Sequence, residues 1–297
     1  MNKKVTIIGA GRVGSTIAYT LMAKGNVNEI VLIDIDKARA DAETLDIKQS
    51  SIFLSETSIK SGSYEDSKDS DIVIITSGIS RKVGQSRLEL TQTNVNILKS
   101  ITKQVEKLSP NAIFVLVSNP VDILTYCFHK FTTVPENRII GTGTLLDTMR
   151  LKVRLSEITG TPIKDVNSIM LGEHGDSCVF PWSLSNVKLS ENEKQEVEEF
   201  VKNSGASIIS GKGATFYGIA AAVRKLVDCI FLDTNEVLPV SVMLSGEFGI
   251  EDVCLGLPCR VGANGKEKVE IKLSESEEVA LKNSASKLKD IISQIEC

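Results

Sequence analysis

Residues 5–34 read VTIIGAGRVGSTIAYTLMAKGNVNEIVLID. The stretch opens on a short apolar run, breaks at Gly9, Gly11 and Gly14, continues at helical spacing to Lys24, and closes on a second apolar run that ends at Asp34. Strand, glycine turn, helix and strand in this order let the chain turn tightly and bring backbone close to a pyrophosphate. The N–H groups of the new helix then face its negative charge. Asp34 stands twenty residues past Gly14, where a carboxylate can accept hydrogen bonds from ribose hydroxyls. Asp34 and Asp36 would repel a 2′-phosphate and no arginine follows before Arg39, so NAD is expected rather than NADP. A glycine turn that merely joins strand to helix is the plainer reading, and the context of the motif makes it the weaker one.

Outward from this unit the same alternation continues. DIVIIT (71–76) and AIFVLVS (112–118) are further runs that are apolar throughout, as strands buried on both faces of a parallel sheet must be. Helical spacing fills Leu90–Leu108, and Ser109-Pro110-Asn111 stops it before the next strand. The expected fold is α/β, a doubly wound parallel sheet forming a dinucleotide-binding domain over residues 1–141. After Ile139-Ile140-Gly141 the strict alternation fades, so a second, α+β substrate domain is expected over 142–297. Its signals are Val197, Phe200, Val201, Ser204 and Ile208 on one helix face, and a hairpin around Asn264-Gly265 with Val269, Ile271 and Leu273 alternating. A final helix, capped by Ser274 and Glu277, turns Leu281, Ala285, Leu288 and Ile292 inward.

The composition bounds the function. A chain of 297 residues, 42% apolar and 24% charged, can bury a core of ordinary size. With a net charge of -4 and basic residues scattered through the chain, the stripe of positive charge that marks a nucleic-acid binder is missing. The apolar run after Lys3 and Lys4 is broken by glycines and Arg12 before a signal sequence could form, and no stretch reaches the ~18 apolar residues of a membrane helix. A cytoplasmic protein is expected. The six cysteines show no C-x-x-C pair, which suggests neither a metal site nor a disulfide framework, and all are expected to be reduced.

Only two histidines are present. His129 sits in the apolar stretch YCFHKF and reads as structural. His174 sits in LGEHGDS, a polar turn between glycines, and is the better candidate for proton exchange with a ligand. Asp147 and Arg150, three apart in GTGTLLDTMR, would share a helix face, either as an active-site wall or as an ordinary surface ion pair.

Together these residues resemble the L-lactate/L-malate dehydrogenase family. TIIGAGRVGS, TSGISRKVGQSRLEL, VSNPVDILT, GTGTLLDT, LGEHGDS and GKGATFYGIA occur in that family's order and spacing along nearly the whole chain. The resemblance implies an NAD-dependent L-2-hydroxy-acid dehydrogenase, a homodimer or homotetramer, with a small 2-hydroxy or 2-oxo acid as substrate and no metal. It implies that His174 exchanges the proton, Asp147 is its carboxylate partner, Arg150 grips the substrate carboxylate, and Arg87 polarises the carbonyl from a loop bracketed by Gly78 and Gly84. Asn119 would sit beside the reacting carbon.

At three points the sequence departs from the pattern. Arg81 stands where lactate-type members carry glutamine, and arginine there matches the malate type. Thr215 and GTGTLLDT resemble the lactate branch, while Gly205 and Gly211 would leave the pocket-lining helix less bulky and admit a longer substrate. The charge of Arg81, buried against a methyl group if pyruvate were bound, tips the expectation slightly toward oxaloacetate and L-malate, with pyruvate and L-lactate as the alternative. Lys152 and Asn167 occupy positions where sugar-bisphosphate-activated relatives carry arginine and histidine, so such activation is not expected. Little chain separates Trp182 from the helix near Glu191. A catalytically silent NAD-binding module and an NAD-dependent glycosidase are the rival readings, the second weakened by the lack of a histidine and cysteine metal pair.

Overall fold

The computed structural model describes residues 3–79, 84 and 86–297. Arg81 lies outside them. The strands are β1 (Lys4–Ile8), β2 (Glu29–Ile33), β3 (Ser58–Ser61), β4 (Ile72–Ile75), β5 (Ile113–Leu116), β6 (Ile139–Gly141), β7 (Leu171–Gly172), β8 (Cys178–Val179), β9 (Glu236–Ser245), β10 (Glu251–Gly262) and β11 (Gly265–Lys268). The α-helices are α1 (Arg12–Lys24), α2 (Lys37–Gln49), α3 (Ser51–Leu54), α4 (Arg87–Leu108), α5 (Val121–Phe131), α6 (Leu145–Thr159), α7 (Glu191–Lys212), α8 (Tyr217–Leu232) and α9 (Glu275–Ile292).

The first six strands are parallel in the order β3-β2-β1-β4-β5-β6, a doubly wound sheet whose order reverses between β1 and β4. β1, β4 and β5 are buried along their whole length, which is why β4 and β5 are unbroken apolar runs and β1 is apolar but for the buried Lys4 and Thr6. β3 carries the sequence SIKS and buries only Ile59 fully, so this edge strand left no apolar run to read.

The sheet does not end at β6. Gly141 pairs antiparallel with Ser241 of β9, and the sheet runs on through β10, β7 and β8, with β11 on β10. A Cβ on Gly141 would lie 2.3 Å from Thr125 Oγ1 and 2.7 Å from Ser241 Cβ, so only glycine admits this junction. The expected hairpin is present as β10–β11, but β11 stops at Lys268 before Val269, and the long partner of β10 is β9.

On α7 the structure buries Val197 and Val201 while Phe200 and Ile208 stay exposed. The guanidinium of Arg154 lies 5.0 Å from the centre of the Phe200 ring, and this cation covers an aromatic face that the helical spacing assigned to the core. α9 buries Leu281, Ala285 and Leu288 as expected, with Ile292 half-buried.

The cysteines depart from expectation at one place. Cys229, Cys254 and Cys259 are buried free thiols, but Cys127 of α5 and Cys297 are joined as a disulfide. Cysteine spacing carried no sign of it, because the partners are 170 residues apart. Among the described residues no group of three or more His, Cys, Asp or Glu side chains could hold a metal ion, and no helix is long and apolar enough to cross a membrane.

Candidate active site

A cavity of about 560 Å³ opens at the carboxyl ends of β1, β4 and β5, with Gly78, Asn119, Arg150, His174, Gly205 and Thr215 among the residues that line it. This is the crevice at the switch point of the strand order, where ligands of such sheets bind.

At one end the glycine turn runs into α1. Gly9 has φ +112° and a Cβ there would meet Thr76 Oγ1 at 2.6 Å, while a Cβ on Gly14 would fall 1.8 Å from the Gly9 carbonyl oxygen. Both are required for helix and strand to approach. Gly11 has nothing within 4 Å of its Cβ position, so its missing side chain leaves open space at the N-terminus of α1. The Asp34 carboxylate accepts from the Ala10 N–H at 2.6 Å and the Asp36 N–H at 2.9 Å. It is thereby fixed against the turn while half-exposed. A helix N-terminus, an open backbone face and an oriented carboxylate fit a dinucleotide with free ribose hydroxyls.

At the other end three charged groups converge. Asp147 lies in the first turn of α6, where the helix dipole favours a carboxylate. Two hydrogen bonds fasten this helix to the strand segment that leads to His174: Thr144 Oγ1 donates to the Met170 carbonyl at 2.7 Å, and the Met170 N–H donates to Thr148 Oγ1 at 2.9 Å. His174 Nδ1 and Asp147 Oδ2 are 2.5 Å apart, and Arg150 Nη1 donates to Asp147 Oδ1 at 3.0 Å. With side-chain exposures of 9% for Asp147 and 16% for Arg150, the pair is a cavity wall and not a surface ion pair.

Burial opposes charge on the His174 imidazole, yet the Asp147 carboxylate, helped by Asp122, outweighs it and holds the pKa above its ordinary value. Burial likewise pushes the Asp147 carboxyl up, but His174 and Arg150 outweigh it and hold it below the ordinary range. Both partners move toward the charged pair. Nε2 of His174 is left to meet a ligand.

Arg87 opens α4 on the rim of the cavity, with Nη2 3.8 Å from Glu173 and Nη1 3.7 Å from Asp176. Its side chain is 61% exposed. Asn119 ends the segment after β5, its carbonyl accepting from Asn94 Nδ2 at 2.9 Å, while Asn94 Oδ1 accepts from the Ile79 N–H. Gly205 faces the Arg150 guanidinium, 3.6 Å from its Cβ position, whereas Gly211 does not line the cavity; only the first of the two glycines widens it. His129 lies away from the site with its Nε2 buried and unpaired, and burial lowers its pKa to about 4.

Sequence reasoning passed over Asp122. Its carboxylate accepts from the His174 N–H at 2.7 Å and from Ser241 Oγ at 2.5 Å, and burial raises its pKa to about 6 against those two bonds. The available signal was a lone carboxylate inside the apolar run VDILTYCF. Glu173 was passed over too. It is buried, accepts from Ser177, and its N–H donates to Ser284 of α9 at 2.9 Å.

Comparison with known proteins matches residues 3–141 to the NAD binding domain of lactate/malate dehydrogenases and residues 144–297 to the alpha/beta C-terminal domain of the same proteins. L-lactate dehydrogenase 1 of Clostridium acetobutylicum is 42% identical, covering 99% of both chains. L-lactate dehydrogenase of Clostridium botulinum is also 42% identical, over 99% of this chain and 97% of its own. Among solved structures, the minor L-lactate dehydrogenase from Enterococcus mundtii superposes with a TM-score of 0.96 at 37% identity, covering 99% of each chain. Malate dehydrogenase from Archaeoglobus fulgidus in complex with NADH does so with a TM-score of 0.92 at 36% identity, covering 98% of this chain and 99% of its own.

Proposed function

The chain belongs to the lactate/malate dehydrogenase family of NAD-dependent oxidoreductases, and from that premise we propose that it interconverts a small L-2-hydroxy acid and its 2-oxo acid at His174. The observation that carries the reading is the buried His174–Asp147–Arg150 cluster at the head of the dinucleotide crevice.

When bound, the nicotinamide supplies or accepts the hydride at C2. Arg150 has one N–H engaged by Asp147 and turns its guanidinium toward the cavity across Gly205, an arrangement suited to a planar carboxylate. Reduction builds negative charge on the substrate oxygen. A protonated His174 donates to that oxygen, and Arg87, released from its long pairings with Glu173 and Asp176, adds a second positive charge. Asp147 keeps the imidazole charged until the proton leaves and fixes the tautomer afterwards. In oxidation a neutral His174 takes the proton back. Asn119 and Thr215 complete the wall around the reacting carbon. In this reading residues 1–141 hold the cofactor through Gly9, Gly11, Gly14 and Asp34, and residues 142–297 supply most of the acid and the grip.

For the substrate itself we infer pyruvate and L-lactate as the first pair. Support comes from the relatives named L-lactate dehydrogenase at 42% identity. A second reading, oxaloacetate and L-malate, is carried by Arg81, a cation at the specificity position of the loop. Steady-state kcat/KM with NADH for pyruvate, oxaloacetate and 2-oxoisocaproate tests the order. Turnover of none of the three would sink the dehydrogenase reading itself. The reading extends to a homodimer or homotetramer, supported by Leu45, Ile52 and Phe53, which stand exposed on α2 and α3, and sedimentation at micromolar concentration checks it.

A further inference from the structure

Cys127 and Cys297 meet across the two halves of the chain. Cys127 lies fully buried in α5, Cys297 is exposed beyond α9, and their Cα atoms are 5.1 Å apart. That separation is one a disulfide spans without moving backbone. The approach does not depend on the bond between them. The Glu296 N–H donates to Gln92 Oε1 at 2.8 Å, and Gln92 Nε2 donates to the Glu296 carbonyl at 3.3 Å. Ile291, Ile292 and Ile295 pack against the core. Residues 291–297 are therefore seated against α4 and α5 by hydrogen bonds and apolar burial, and the two sulfurs are delivered to each other by the fold.

We propose that Cys127 and Cys297 are a reversible disulfide clasp that fastens the end of the second half to the dinucleotide-binding half and stabilises the fold without altering the reaction. Cys297, the exposed residue of the two, reacts first. The Cys297 thiolate attacks a low-molecular-weight disulfide such as glutathione disulfide, forming a mixed disulfide and expelling one thiolate. Cys127 then loses its proton and attacks the Cys297 sulfur, expelling the second thiolate. Two protein thiols are oxidised to one disulfide, and one external disulfide is reduced to two thiols. The turnover machinery is complete in the crosslinked chain, since Asp147 is already within hydrogen-bond distance of both His174 and Arg150, and neither cysteine lines the cavity. The effect falls instead on the unfolded chain, whose freedom a crosslink between residues 170 apart restricts strongly.

The experiment treats the whole protein with glutathione disulfide, then with dithiothreitol, and follows it by non-reducing peptide mass mapping, thermal melting and kcat. The expected result is a peptide pair joining Cys127 to Cys297 within a single chain. The melting midpoint should rise by at least ~5 °C and return on reduction, with kcat unchanged within about twofold. Cys297→Ser, at an exposed position, should fold normally and lose both the crosslink and the shift. Cys127→Ser should do the same if it folds. A chain that forms no such pair, that crosslinks through Cys297 to a second chain, or that melts at the same temperature in both states overturns the proposal. So does a tenfold loss of kcat on oxidation that Cys297→Ser abolishes.

Discussion

The backbone N–H of His174 donates at 2.7 Å to the carboxylate of Asp122, a buried group that lies 52 residues earlier in the chain and also accepts the hydroxyl of Ser241. Helix α5 and strand β9 thus fix where the loop that carries His174 begins. No cation pairs directly with this carboxylate among the described residues, and burial raises its pKa to about 6. A carboxyl group that holds its proton more tightly folded than unfolded contributes most stability below the ordinary carboxylate range. That contribution is lost as pH rises through about 6. Asp122→Asn can keep both bonds, accepting from His174 and donating to Ser241. The variant should therefore be more stable than the parent at pH 8, on the order of 2 kcal/mol, with a smaller gain at pH 5. Urea denaturation at the two pH values measures this, and an unchanged stability at both would mean that the charge is already compensated.

Loss of the same charge should reach the chemistry only mildly, whereas Asp147 acts directly. Because Asp147 holds the His174 pKa above its ordinary value against burial, reduction of the 2-oxo acid should persist to higher pH than an ordinary imidazole would allow and fall as the imidazole deprotonates. Asp147→Asn should move that fall to lower pH. His174→Asn should lose about 10² to 10⁴ in kcat while NADH binding, read by fluorescence titration, survives. A pH profile identical in Asp147→Asn and parent would contradict the assigned pairing.

Arg81 decides the substrate if it faces the ligand. Arg81→Gln should raise kcat/KM for pyruvate and lower it for oxaloacetate, shifting their ratio by at least ~10²-fold, about 2.7 kcal/mol of differential transition-state binding. An unchanged ratio would show that the side chain points away from the substrate.

The glycine turn separates two kinds of requirement. Gly14→Ala places a methyl group 1.8 Å from a backbone oxygen and should yield unfolded or insoluble chain. Gly11→Ala meets no atom of the protein, so it should fold with the parent's melting temperature yet bind NADH at least ~10-fold more weakly. Normal binding by a folded Gly11→Ala variant would remove Gly11 from the cofactor's path.

How far the sequence could be read depended on how local each signal was. The parallel half was legible because β1, β4 and β5 are buried on both faces and so are written as mainly apolar runs. β3, with one buried position of four, wrote almost nothing. His174 was singled out by residue type and its polar turn, and spacing put Asp147 and Arg150 on one helix face, but it was the family resemblance that grouped the three. Asp122, Ser241, Ser284 and the Cys127–Cys297 pair were not, since each acts on a residue tens to hundreds of positions away and only the folded chain brings them together. Phe200 misled for another reason: Arg154 covers its ring, and apolar spacing alone does not show that a cation can take the place of the core.

The two constraints on the glycines also bear on how descendants of this chain would diverge. A lineage that ceased to use its cofactor would still be obliged to keep Gly9 and Gly14, because the protein's own atoms occupy the space their side chains would need. Position 11 alone would be released to drift. Retention of the full glycine signature is therefore weak testimony to function in a distant descendant, and the residue at position 11 is the one that would betray the loss.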